Sequence, residues 1–232
     1  MSWKDAHILF KFPARARKEK LFDKLNHYYD LMVDQENFTF LVSIDHDDEI
    51  LNTPEVLEKL QKYFRLKAVV GESKGKIFAC NRDIDEHEES WDIVVLVSDD
   101  MMPKVKGYDM HIRKGYKKYF PDFDGVLHFN DGHQKDKLNT LCILGKPYYD
   151  RFGYIYNPEY VSLFCDNEFM DVSRILGKTK YIPMVIIEHQ HWAWGYGGMD
   201  ALYQKNEGPI QKDRDTYLRR KKQEFDLKPL ES

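Results

Sequence analysis

The stretch WDIVVLVSDDMMP at residues 91–103 constrains this chain more than any other. Residues 93–97 form an unbroken β-branched and aliphatic run. A strand reads this way when both of its faces are covered, as at the centre of a parallel α/β sheet. At its C-terminal end the run delivers two adjacent carboxylates, Asp99 and Asp100. Ligands of open α/β sheets bind at that end of the strands. Two acidic groups held together repel unless a cation lies between them, and hard divalent ions favour such oxygens. The same letters suit a solvated turn, where aspartate is favoured by its bonds to the backbone. The neighbouring segments therefore decide.

Those segments alternate. Strands are expected at residues 7–12, 38–44 and 66–70, with Pro13 ending the first because proline cannot donate to a ladder. Helices are expected at residues 19–32 and from the Thr53 cap and Pro54 to about residue 64. Up to about residue 100 this predicts a parallel, Rossmann-like sheet. The pattern then changes to a helix at 107–120, short strands at 124–130 and 138–144, a helix at 168–175 and a strand at 181–191 with an early proline. Leu202 and Tyr203, and then residues 217–225, read as helical. No break in composition marks a linker and no repeat is present, so the fold class expected is α/β. It comprises a single domain with a mostly parallel sheet flanked by helices and a mixed second half.

Composition excludes several classes. Of 232 residues, 42% are hydrophobic and 14% aromatic, ample for a substantial core. A net charge of -4, from 35 basic and 39 acidic residues, argues against a general nucleic-acid coat, though it permits a local basic groove. Cys80, Cys142 and Cys165 have no metal-ligand spacing and sit beside apolar residues, as buried reduced thiols do. No signal-peptide pattern and no apolar run of membrane-spanning length is present, so a soluble, cytoplasmic protein is expected.

The strand ends carry side chains suited to a nucleoside diphosphate. Pro13 and Arg15 follow the first strand and Asp45 closes the second. Lys76 and Asn81 follow the third, while Ser98, Asp99 and Asp100 follow the fourth. Aspartate accepts from a base imide or a ribose hydroxyl, and lysine or arginine neutralises phosphate or holds a base carbonyl. Singly, Arg15, Lys74 and Lys76 read as solvated basic surface; together at one sheet edge they read as a site. Further on, CDNEF at 165–169 places Asp166 as a helix cap with Glu168 in the first turn, and either carboxylate also suits a general base. EHQHW at 188–192 puts His189 and His191 on one face of a strand. Zinc would want a third ligand at compact spacing. A single histidine completing the site begun by Asp99 and Asp100 is the better reading.

Taken in order, FPAR at 12–15, Asp45, KIFACNR at 76–82, VSDDM at 97–101, DNE at 166–168 and EHQH at 188–191 resemble a small GT-A-fold glycosyltransferase. The likeness is to the family-2 inverting enzymes and to short bacterial and phage-type members, over about residues 7–203. It implies a nucleotide-binding half at 1–102, an acceptor- and metal-completing half at 103–203 and a helical tail at 204–232. Asp99 and Asp100 would match the Asp-x-Asp region that holds Mn²⁺ or Mg²⁺ on the donor diphosphate, with Ser98 in place of the usual first aspartate. His189 or His191 would be the late histidine added to that metal. Asp166 would be the base, with Glu168 its rival. Pro13, Arg15, Asp45 and Lys76 would hold the nucleotide, helped by Asn81, Ser98 and Asp99. Asn130, Asp131, His133, Trp192 and Trp194 are candidates for donor sugar or acceptor. The implied reaction moves a sugar from a nucleotide-sugar donor, a UDP-sugar first among them, to an acceptor hydroxyl with inversion. The acceptor (glycan, lipid, protein or modified nucleobase) and the oligomeric state stay open. A nucleotidyltransferase shares sheet, metal and nucleotide but usually carries a glycine-rich basic signature after the first strand, which FPAR is not. A non-catalytic sugar-nucleotide-binding module is the other alternative.

Overall fold

The computed structural model describes residues 3–191, 194–196 and 201–227. Its first half is the alternating unit that the pattern predicts. Strands β1 (Ile8–Ala14), β2 (Phe38–Asp45), β3 (Leu66–Gly71) and β4 (Ile93–Leu96) are parallel, with β1 between β2 and β4 and β3 outside β2. Helices α1 (Lys18–Leu31), α2 (Pro54–Gln61) and α3 (Lys76–Asn81) connect them in turn. Thr53 caps α2 by accepting from the Val56 N–H, and Pro54 opens the first turn, where a missing donor costs nothing. Both faces of the central strands are covered. On one, Phe10 stacks on Phe40 at 4.8 Å with Tyr28 and Tyr108 around them; on the other, Leu9, Leu41 and Val94 pack with Trp91 and Tyr149.

The second half is mixed. After β4 come β5 (Met101–Pro103), α4 (Tyr108–Tyr119), β6 (Val126–Phe129), β7 (Ile143–Gly145), the short α5 (Lys146–Tyr149) and α6 (Cys165–Ile175). They are followed by β8 (Thr179–Ile182), β9 (Ile187–His189), α7 (Ala201–Glu207) and α8 (Ile210–Lys222). The main sheet runs β3-β2-β1-β4-β7-β6-β8, with β7 antiparallel to both neighbours and β6 parallel to β8. β5 and β9 form a separate antiparallel ribbon. Among the described residues no helix is long and apolar enough to cross a membrane.

Several boundaries differ from expectation, each for a local reason. Pro13 does not end β1, which runs on to Ala14. Alternation along the strand aims the missing donor of Pro13 at β4, whose pairing with β1 has already ended at Lys11 and Leu96. The strand expected at 138–144 is confined to 143–145. The single strand expected at 181–191 is two strands in two sheets, because Pro183 ends β8 and the chain crosses to pair with β5. The helix expected from 168 starts at Cys165 behind Phe164, a left-handed residue at φ 61, so Asp166 lies in the first turn and is not the cap. The last helix begins at Ile210 and stops at Lys222; Phe225, at φ 55, belongs to a separate turn.

A lysine is enclosed in the sheet itself. Lys11, 0% exposed, donates to Ser43 Oγ and lies 3.8 Å from Asp83. Burial pushes its pKa down to about 8, against the upward pull of Asp83. An unfolded chain keeps that proton until about 10.5, so between these values the unfolded state binds more protons and stability rises with pH. In denaturation series from pH 8 to 10.5, wild type should gain on Lys11→Met by roughly 1–3 kcal/mol, within the span that the shift allows. A difference that stays flat across the series would show Lys11 charged throughout.

Candidate active site

The C-terminal ends of the four parallel strands open into a cleft of about 620 Å³. The turn before α6, the end of β9, and helices α7 and α8 complete its walls. The acidic pair lies at its floor. Val97 is pinned by its N–H to the Lys11 carbonyl at 2.9 Å, and the following turn, closed by Met101 N–H on Ser98 O at 3.1 Å, holds Asp99 and Asp100. Arg17 donates to Asp99 at 2.9 Å. Ser98 donates its hydroxyl to Asp100.

The ribbon brings the late histidine back to this point. Met101 pairs with His189, and the Gln190 N–H reaches the Asp100 carbonyl at 2.6 Å. His189 Nε2 thereby lies 3.6 Å from Asp100 Oδ2, and the His189 N–H is held by the Asp131 carbonyl at 2.9 Å. The His191 ring follows at 5.5 Å from that of His189 and also lines the cleft.

The two carboxylates diverge electrostatically. Burial, reinforced by Asp100, pushes Asp99 up to about 6 in spite of Arg17. Burial also acts upward on Asp100, but His189, Ser98 and Lys76 outweigh it and hold that group far below the usual carboxylate range. His189 is correspondingly raised: burial opposes its charge and Asp100 overcomes that. Among the described residues no group of three or more His, Cys, Asp or Glu side chains makes a ready cation cage. What is present still fits a hard divalent ion. Asp100 and His189 converge, His189 Nδ1 is buried with no hydrogen-bond partner among the described residues, and Asp99 adjoins. Such ions usually keep waters and take only one or two protein carboxylates, the rest of the shell coming from ligand phosphates.

Asp166 forms part of the opposite wall, its Oδ1 accepting the Asn167 N–H at 2.9 Å. Burial pushes its pKa up, with Lys76 the chief opposing influence. Lys76 lines the cleft with its Nζ 3.4 Å from the Ser162 carbonyl. Burial works against its charge, yet Cys165, Cys80, Asp100 and Asp166 together raise it. At the far end Arg15 donates to Asp45 at 2.7 Å and to Asp47 at 2.7 and 3.2 Å, with Pro13 beside it. Asp45 Oδ1 is buried and accepts no hydrogen bond among the described residues, with the Arg82 guanidinium 3.7 Å away.

Several residues singled out in the sequence, Lys74 and His133 among them, do not line the cleft. Asn81 accepts from the N–H groups of Ile155 and Tyr156 at 3.0 Å each and donates to the Tyr156 carbonyl at 2.6 Å, so its amide is spent on the backbone. Glu168 is buried, accepting from Tyr160 at 2.8 Å and from Arg220 at 2.8 and 2.9 Å, and does not reach the cleft. Asn130 caps the Gly132 N–H at 2.9 Å. Asp131 accepts from His133, Gln134 and Thr140, shaping a loop whose Gln134 and Thr140 line the cleft in its stead. Trp192 lies outside the described residues. Trp194 does line the cleft, stacked on His133 at 5.0 Å with 2° between the rings. Sequence reading missed Arg17, visible only as part of a basic segment, and the contribution of α7 and α8 through Leu202, Asn206 and Ile210. No local signal marks either.

Glu168→Ala should behave as a structural lesion. It leaves the Arg220 guanidinium, 4% exposed, without its bidentate partner, and denaturation should report a loss of roughly 3 kcal/mol. A variant of unchanged stability that loses turnover would return Glu168 to the chemistry.

Sequence comparison alone finds no match, either to a family model or to a curated protein. Comparison of structures does. The chain is similar to the mannosyltransferase PcManGT from Pyrobaculum calidifontis in complex with GDP-Man and Mn²⁺, with TM-score 0.61 and 14% identity over 79% of this chain and 56% of that one. It is similar to S. aureus TarS, with TM-score 0.64 and 14% identity over 80% of this chain and 37% of the other. It is also similar to S. aureus TarS 1-349 in complex with UDP-GlcNAc, with TM-score 0.60 and 15% identity over 76% and 56%. This chain therefore spans between 37% and 56% of the length of these proteins. At such identity the likeness is one of fold, and the fold is the GT-A-like fold of glycosyltransferases.

Proposed function

We propose that this chain is a metal-dependent glycosyltransferase of the cytoplasm. It moves a sugar from a nucleoside-diphosphate sugar, a UDP-sugar first among them, to an acceptor hydroxyl with inversion. One observation carries the reading: Asp166 and the Asp99, Asp100 and His189 group line a single cleft, with Lys76 interacting electrostatically with both Asp100 and Asp166. The similar structures solved with GDP-Man and Mn²⁺ and with UDP-GlcNAc support the donor and metal class.

Each residue has a task in this reading. Asp45 Oδ1, buried without a donor, receives a base N–H, while Arg15 and Pro13 bound the base. Arg17 and Lys76 lower the cost of bringing a diphosphate beside two carboxylates. Asp100 and His189 would hold the Mn²⁺ or Mg²⁺ ion, with Asp99 available to it or to ribose and His191 lining the same cleft. A divalent ion bound there supplies Lewis-acid stabilisation of charge growing on the leaving diphosphate. The acceptor oxygen bonds to the anomeric carbon as the carbon–phosphate oxygen bond breaks, its electron pair leaving with the nucleoside diphosphate. The acceptor proton goes to Asp166, which burial has made a stronger base. Direct attack on the face opposite the leaving group, through an oxocarbenium-like state, inverts the centre. Gln134, Thr140, Trp194 and Asn206 make up an uncharged wall for donor sugar or acceptor, where the Trp194 ring suits the apolar face of a sugar.

Thermal unfolding tests the reading. UDP with Mn²⁺ should raise the melting temperature by linkage, about 2.7 kcal/mol of added stability at a hundredfold excess over Kd. Asp100→Ala should remove the Mn²⁺-dependent part. Absence of any shift across a panel of nucleoside diphosphates and their sugars would overturn the proposal. Asp166→Asn should bind the donor normally and lose turnover by roughly 10²–10⁴-fold. Normal binding with neither transfer nor slow hydrolysis in wild type would leave a binding module, and nucleotidyl transfer would leave the other alternative.

The pH dependence has a definite sign. Asp99, raised to about 6, takes up a proton below that value, and a cation must displace it. Mn²⁺–UDP affinity should therefore weaken as pH falls. Asp99→Asn should remove the part of the dependence centred near 6 while leaving the part due to His189, which must also lose its proton to bind a cation.

A further inference from the structure

The polar face of α8 has no part in the reaction as drawn, yet it is organised around the residue that we assign as base. Asp213, 0% exposed, accepts three consecutive backbone N–H groups: Val161 at 2.8 Å, Ser162 at 2.8 Å and Leu163 at 2.7 Å. Tyr217, one turn on, donates to Asp171 at 2.8 Å. Arg220, a further turn on, grips Glu168 through two N–H groups and also bonds Glu159 and Asp226. Positions 213, 217 and 220 share one helical face. Their partners at 161–163, 168 and 171 straddle Asp166 on both sides.

We infer that α8 is a brace for the base, with Asp213 and Arg220 acting as positioning residues for glycosyl transfer; this rests on the reading of Asp166 as base. Residues 161–164 enter α6 through the left-handed Phe164, so the direction of the first helical turn, and with it Asp166, follows from where that turn is pinned. Asp213 pins it. The same turn presents the Ser162 carbonyl to Lys76 at 3.4 Å, so the segment that Asp213 pins carries both the approach to Asp166 and an acceptor for Lys76. An apolar stripe would attach a helix at least as well, since buried ion pairs add little net stability over well-packed hydrophobic groups. What the hydrogen-bonded stripe adds is a fixed register between α8 and α6. Ile210, one turn before Asp213, lines the cleft, so the helix that holds the base also shapes the uncharged wall.

The test uses the full chain, Mn²⁺, and whichever UDP-sugar gives wild type the largest Mn²⁺-dependent thermal shift, with water as acceptor. Asp213→Asn keeps the shape but replaces an acceptor oxygen by a donor. Donor KM should stay within about twofold of wild type while kcat for hydrolysis falls roughly tenfold or more, since misplacement of a reacting group costs rate rather than ground-state binding. Hydrogen exchange at the amides of Val161, Ser162 and Leu163 should accelerate in the same variant. Should Asp213→Asn fail to fold, Tyr217→Phe and Arg220→Lys probe the same face more gently and should lower kcat with KM held. An unchanged kcat beside faster exchange would overturn the inference. So would a loss of activity matching the unfolded fraction, or a rise in KM at constant kcat. Asp166→Asn run in parallel separates the two claims: full turnover there fells the base assignment, whereas exchange at 161–163 still reports whether α8 holds the turn.

Discussion

Two neighbouring carboxylates largely withdrawn from water at the end of the central strand set the terms for the rest of the molecule. Asp99 and Asp100 repel each other, and burial raises the cost of charging either. The fold answers with different partners for each: Arg17 from the turn after β1 meets Asp99, while Ser98 and His189 meet Asp100. The β5–β9 ribbon lies outside the main sheet, and through Met101 its register sets where His189 faces Asp100. Lys76, drawn from the start of α3, lends charge to Asp100 on one side and Asp166 on the other. In the reading proposed above, a cleft that concentrates charge in this way receives a ligand carrying both a cation and phosphates.

What was legible in the sequence is what local physics decides. The run at 93–97 announced a strand covered on both faces, and the core around Phe10, Phe40, Leu9 and Val94 is that covering. Thr53 and Pro54 marked a helix start because cap chemistry acts within four residues. Strand ends carrying Arg15, Asp45, Lys76 and Asp99 could be read together because parallel strands deliver their C-termini to one edge. The rest depends on contacts distant in sequence. Asn81 looks like a ligand until Ile155 and Tyr156 claim its amide, and Glu168 looks like a base until Arg220 does the same. Arg17 becomes part of the site only by reaching Asp99 across the cleft. Pro183 was visible, but the new partner offered by β5 was not, so two strands read as one.

The interior of this protein is more polar than a sheet of this kind requires. Arg113, 0% exposed, bridges Asp109 at 3.0 Å and Asp34 at 3.1 Å while donating to the carbonyls of Ala6 and Asn37. Lys11 sits inside the sheet with Ser43, and Arg220 sits beneath α6. Each of these groups ties the start or end of one element to a segment far away in the chain. Such contacts add little net stability by themselves, but they penalise any arrangement in which the partner is absent. Packing alone would tolerate small slides of one element over another. A buried cation with fixed acceptors does not.

The split of β8 from β9 at Pro183 has a consequence for how this chain can change length. Residues 183–186 are a short bridge between two sheets, and the histidines lie just beyond it. Because side chains alternate along a strand, losing one residue in the bridge brings Gln190 to the position that faces Asp100, and gaining one brings Glu188 there. A loss of two restores an imidazole, with His191 arriving where His189 had been, whereas a gain of two puts the apolar Ile187 there. The bridge therefore acts as a ruler with a two-residue graduation, and the paired histidines are its neighbouring marks.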